Sequence, residues 1–138
     1  MIDCEFELFT EVATALRASF DGIYVTGEYV RTPARFPCVS IEERDNTAWR
    51  NSRTNENYEN HAAVMYEINV YSNKQTGKKA EAKAIAEVAD GVMQKLGFTR
   101  TMLSPTQNLA DATIYRITGR YSGIVQDNGN NNYTIYKR

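Results

Sequence analysis

A chain of 138 residues, 24% of them charged, is one domain's worth of sequence, and a domain near that size buries about 68–70% of its unfolded surface. The formal net charge of −1 excludes both a global basic field for nucleic acid and an acidic excess that would keep the chain disordered. No apolar run approaches the ~18–20 residues of a membrane span, and the acidic start "MIDCEFELFTEV" is unlike a secretory signal.

In chain order, residues 2–20 predict an amphipathic helix. Ile2, Phe6, Phe9, Ala13, Leu16 and Phe20 recur at helical spacing, and Gly22 stops the pattern. "IYVTGEYV" (23–30) reads as a short strand or hairpin broken at Thr26-Gly27. Pro33 and Pro37 bracket a non-helical connection. "FPCVSIEER" then predicts a half-buried strand, with Val39, Ile41 and Glu43 on one face and Cys38, Ser40 and Glu42 on the other. Residues 45–61, "DNTAWRNSRTNENYENH", read as a long polar loop, a length that is commonly functional or mobile.

"AAVMYEINVYS" (62–72) is the clearest strand, with Val64, Tyr66, Ile68 and Val70 alternating against Met65, Glu67, Asn69 and Tyr71. A second helix is expected over 77–96, with Ile85, Val88, Ala89, Val92, Met93 and Leu96 as its stripe and Gly97 as its C-terminal cap. "FTRTML" reads as a short strand and "SPTQNLADA" as a loop. "TIYRITGRYSGIV" (113–125) reads as a long strand twisted or bulged at Gly119 and Gly123, and "YTIYKR" as the last strand. The sum is an α+β fold. Two helices pack on a mixed, largely antiparallel β-sheet, and 1–138 form a single domain.

Residues 72–79 have the order strand, Gly-Lys loop, helix, which is that of a phosphate-binding loop. The motif fails at both ends: Ser72 stands where the first glycine belongs, and Lys79 where a hydroxyl would hold magnesium. The better reading is a helix start capped by Thr76 or a neighbour. Lys78 and Lys79 then face the positive end of the helix dipole. That costs ~0.3–1 kcal/mol each, which a binding surface or Glu81 would offset.

Other constellations are weaker. Cys4 and Cys38 are expected reduced and buried, and with the single His61 they do not supply a zinc site. His61 reads as a solvent-exposed loop residue rather than as the base of a thiol nucleophile. Glu42 and Glu43 point to opposite faces of a strand. Glu67 and Asn69 read as solvated positions, and Arg116, Thr118 and Arg120 as a solvated or partner-facing stripe. Nine tyrosines exceed what one small core holds, and two readings account for the excess equally: surfaces that become buried on association, and simple strand propensity. No catalytic, cofactor or metal site is expected.

The words "ARFPCVSIEE", "AAVMYEINVYSNKQTGKKAEAKAIAEVADGVMQKLGFTRTML" and "SPTQNLADATIYRITGRYSGIV" resemble the tail-terminator proteins of long-tailed bacteriophages and prophages. The likeness covers roughly residues 23–125, and "YSNKQTGKK" and "LGFTRTM" are its most specific parts. It implies helices on a mixed or antiparallel sheet, and a structural virion protein without catalysis. That protein forms a ring, usually a hexamer, caps the completed tail tube and joins it to the neck. The implied partners are further copies of itself, the tail tube protein and a neck or connector protein, with no sequence-specific nucleic-acid contact and no membrane. The implied place is the tail–neck junction of the virion, reached from the host cytoplasm. Another head–tail connector or head-closure protein is the alternative, and a small ligand-binding domain or enzyme using residues 72–79 a remote one. Candidate interface residues are Trp49, Arg50, Arg53 and Tyr58 in the polar loop, whose types are enriched at interfaces, and Lys78 and Lys79.

Overall fold

The computed structural model describes residues 1–48, 61–107, 111–130 and 132–136. The elements are α1 (Glu5–Ser19), β1 (Tyr24–Thr26), β2 (Cys38–Ala48), β3 (His61–Ser72), α2 (Lys78–Leu96), β4 (Thr99–Pro105), β5 (Tyr115–Asp127) and β6 (Tyr133–Tyr136). The sheet order is β1-β2-β3-β5-β4, and β6 pairs with β5 on the same side as β4. β1 runs parallel to β2 and every other pairing is antiparallel, so the sheet is mixed and the fold is α+β. The 23–30 segment therefore makes one short parallel strand, not a hairpin.

Both helices pack on one face of the sheet. Val64, Tyr66, Ile68 and Val70 of β3 join Leu8, Val12 and Leu16 of α1 and Ile85, Ala89 and Met93 of α2 in one apolar core. In each helix the buried stripe is rotated from the expected one. α1 buries Leu8, Val12, Ala13 and Leu16, and Phe6 is left 76% exposed. Two stripes of similar spacing compete on this helix. The aliphatic one wins because its smaller side chains let the backbone sit close to the sheet. α2 buries Ala82, Ile85, Ala86, Ala89 and Met93, while Val88, Val92 and Leu96 lie at the rim of the core. The alanines do the same work of close approach.

The ends of α2 follow from glycine. Gly77 is the N-cap in the left-handed region (φ 88°), and its carbonyl accepts from the Glu81 N–H. No side chain caps the helix, so Thr76 does not play that part. Gly97 (φ 108°) closes the other end: its N–H donates to the Gln94 carbonyl and the Phe98 N–H to the Met93 carbonyl. A Cβ at Gly97 would also stand 2.7 Å from the Ile135 carbonyl oxygen.

Both ends of the expected loop at 45–61 are strand. Asp45–Ala48 continue β2 after a bulge at Arg44, and His61 opens β3, because these residues pair with each other and with β5. Residues 49–60 lie outside the described residues. Gly119 and Gly123 are not bulges, since β5 runs without a register shift and the irregularity falls on Thr101 of β4. Their role is room: a Cβ at Gly123 would lie 2.9 Å from the Phe98 ring, and one at Gly119 3.2 Å from the Tyr121 ring. Among the described residues no helix is long and apolar enough to cross a membrane.

Two glycines of the helix layer predict effects of opposite sign. Gly91 is interior to α2, and a Cβ added there would meet nothing within 4 Å, so Gly91→Ala should stabilise by ~0.5–1 kcal/mol. Gly97→Ala should destabilise by more than that, from strain at positive φ and the Ile135 carbonyl. Denaturant unfolding of the two variants checks the pair, and equal effects would refute the capping account.

Candidate functional site

The face of the sheet away from the helices carries the polar residues. Strand pairing places Ser40, Asn69, Thr118 and Ser104 in one row, and Glu42, Glu67, Arg120 and Met102 in the next. Alternation along β3 alone marks Glu67 and Asn69 as solvated, yet they are 8% and 1% exposed. The reason lies on β5. Arg116 Nε donates to Asn69 Oδ1 (3.0 Å), Thr118 Oγ1 donates to the same oxygen (2.6 Å), and Arg120 Nε donates to Glu67 Oε1 (3.1 Å). Asn69 Nδ2 donates to Glu67 Oε2 at 3.0 Å and ties the two rows together. The long side chains of Arg116 and Arg120 lie over the shorter ones and exclude water from them. Arg116 also stacks over the Tyr71 ring, 5.5 Å from its centroid.

Charge is arranged unevenly in this network. Burial pushes the Glu67 carboxyl up. The bonds from Asn69 and Arg120 and the charge of Arg44 outweigh that and hold it below the usual range. Glu42 sits directly opposite Glu67, and burial first, then the like charge of Glu67, push it up. Among the described residues Glu42 Oε1 has no hydrogen-bond partner, and Arg44 reaches the other oxygen only at 4.0 Å. One end of this face is covered by the 27–36 connection: Val30 and Phe36 pack on Cys38, Tyr71 and Ile114, and Tyr71 donates to the Val30 carbonyl.

On the helix side a second polar chain runs inward. Tyr66 donates to Glu43 Oε1 (2.9 Å), and the Cys4 thiol meets the Tyr66 hydroxyl at 3.3 Å. Burial pushes both thiols up to about 11, so neither is a thiolate at neutral pH. Both are free and buried, as expected. His61 is not a loop residue: it is the half-buried first residue of β3, with its ring 6.1 Å from that of Tyr136. Glu42 and Glu43 do face opposite sides. Tyr66, Tyr71 and Tyr121 are buried, while Tyr29 and Tyr136 are 62% and 48% exposed, so only part of the tyrosine excess is at the surface.

Of the candidate interface residues, Trp49, Arg50, Arg53 and Tyr58 lie outside the described residues. Lys78 and Lys79 sit in the first turn of α2. The Lys78 ammonium donates to the Thr113 carbonyl at 3.2 Å, and Lys79 is exposed. Glu81, in the same turn, accepts from the Ser72 hydroxyl at 2.6 Å. A phosphate cradle needs that lysine aimed at its ligand, and here it is engaged by a neighbouring loop. Among the described residues no group of three or more His, Cys, Asp or Glu is placed to hold a metal ion. No protein-family model matches the chain, and no curated protein matches it.

The two carboxylates of the outer face should respond to pH with opposite signs. The depressed Glu67 contributes stability above its unfolded pKa of ~4.3, and that contribution is lost as pH falls through its lower folded pKa. The raised Glu42 costs stability above its folded pKa and regains it as pH falls toward ~4.3. Glu67→Gln should therefore lose about 1 kcal/mol at pH 7, and Glu42→Gln should gain a few tenths. Both differences from the parent protein should shrink in acid. Urea midpoints at pH 7 and in acid check this, and a stabilising Glu67→Gln would overturn it.

Proposed function

We propose that this protein is a tail-terminator protein of a long-tailed phage or prophage, a structural ring that caps the tail tube and presents a surface to the neck. The observation that carries the reading is where the resemblance falls. "YSNKQTGKK" is the junction of β3 with α2, and "LGFTRTM" is the junction of α2 with β4. The most specific parts of the likeness thus fall on both glycine-set ends of the helix that roofs the sheet, and the rest of it runs through β2, β3 and β5. The fold agrees with the one the resemblance implies, two helices on a mixed sheet.

The surface supports the same reading. A ring subunit needs a rigid frame with several sides open to partners. Here one side of the sheet is a cross-linked polar face and the other is roofed by helices whose outer sides are charged.

Added to polymerising tail tube protein, the purified chain should stop elongation and leave ring-shaped density at one tube end in electron micrographs. Tubes that grow without limit, with no density at either end, would refute the proposal.

A further inference from the structure

The helix layer has two ends of opposite charge. At one end a groove of about 230 Å³ opens between α1, the end of α2 and β6. Leu8, Leu96 and Ile135 form its floor, Tyr133 lies to one side, and Glu7 and Glu11 stand at its mouth. Asp3, before the start of α1, adds a further exposed carboxylate close enough to act on Tyr133, and Lys95 lies in the last turn of α2. Tyr133 reports the field there. Partial burial, and then Glu7, Asp127 and Asp3, hold its hydroxyl above the ordinary value. The C-terminal end of the α2 dipole adds to the negative potential.

The other end of α2 carries Lys74, Lys78, Lys79 and Lys83. The nearby carboxylates Glu81 and Asp111 accept hydrogen bonds from Ser72 and Thr113 and offset part of this charge, Asp111 that of Lys78. Lys74, Lys79 and Lys83 are exposed. From Lys78 to Leu96 the helix rises about 27 Å, so the basic surface and the acidic groove cannot neutralise one another within one subunit. Lysines in a first turn oppose the helix dipole, and a single carboxylate of that turn, Glu81, stands against Lys78 and Lys79.

We infer that the acidic groove of one copy receives the lysine-bearing start of α2 from a second copy. Lysine suits this seat: its ammonium meets Glu7 and Glu11 while its methylene stem lies on the apolar floor. The two patches are different surfaces, so the contact is head-to-tail. Such a contact repeats from subunit to subunit and closes into a ring when its rotation divides a circle. The inference deepens the ring proposed above and rests on it for its biological setting, but the contact is testable without any phage component.

Sedimentation velocity of the full chain, from about 10 µM to about 1 mM, measures the association, and repeats between about 0.05 M and about 0.5 M salt measure its charge dependence. Glu7→Lys with Glu11→Lys makes both ends basic, and Lys74→Glu with Lys79→Glu makes both ends acidic. Each double variant alone should associate at least about tenfold more weakly than the parent. An equimolar mixture of the two should regain association, and so should a chain carrying all four changes. Thermal melting of each variant separates lost association from lost folding, and the salt series on the parent chain needs no variant at all. A parent chain that stays monomeric throughout overturns the inference, as does association indifferent to salt or to charge reversal. Tube capping by a chain whose self-association ignores these reversals would sink this contact and leave the terminator reading standing. Self-association through it without tube capping would do the reverse.

Discussion

Strand β3 is hydrogen-bonded along both edges and buried on both faces, and most of what surrounds it follows from that constraint. From His61 to Ser72 each residue has a partner in β5, and nearly the whole strand also pairs with β2. One face meets this with aliphatic side chains and Tyr66. The other carries Glu67 and Asn69, whose polar atoms must be satisfied once water is excluded. Arg116, Thr118 and Arg120 satisfy them only in the observed register of β5. A shift by one residue would turn these donors to the helix side and Ile117 and Tyr121 outward. The polar face thus fixes the register at least as firmly as the apolar one does.

Tyr66 extends the constraint to the helix layer. Its ring stands edge-on to Phe98 with centroids 5.5 Å apart, and Phe98 is the residue that closes the α2 cap. Its hydroxyl reaches Glu43 and the Cys4 thiol, at the start of α1. Glu5 accepts from the Glu43 N–H, and Asn46 donates to the Ile2 carbonyl. The start of α1 is therefore pinned to β2 and β3 by hydrogen bonds as well as by burial. Tyr121 plays a similar part on β5: its hydroxyl donates to Asp90 of α2, which also pairs with Arg100 of β4. Helices held at several points keep charged ends in fixed places, and that is what a subunit needs if its ends are to find a neighbour.

The proposed function joins these features without asking for chemistry from any of them. The buried thiols are protonated. The lysine that opens α2 is hydrogen-bonded to a loop carbonyl, and Glu67 of the outer face is locked into a structural network. The proposed ring draws instead on surfaces: an acidic groove, a basic helix start, a stiff polar sheet face and a few separate exposed rings. In that proposal specificity comes from where rigid elements place charge.

The fold class and the two helices, with most of the strands, were legible in the sequence. Alternation over 62–72, helical spacing over 77–96 and Gly97 at the end of it are local signals, because they follow from the geometry of one element and the freedom of glycine at positive φ. It also allowed the right reading of Lys78 and Lys79 as a helix start, though not the glycine cap in place of Thr76. Three things were decided only by tertiary structure. Whether α1 buries Phe6 or Leu8 depends on how close the helix sits to the sheet, since both stripes have acceptable spacing. Whether Glu67 and Asn69 are wet depends on partners about fifty residues along the chain, placed beside them by strand pairing. The acidic groove joins α1 to the end of α2 and to β6, residues far apart in sequence, so no local pattern could have marked it. Periodicity reports what one element needs to bury, and only packing settles which neighbour meets the need.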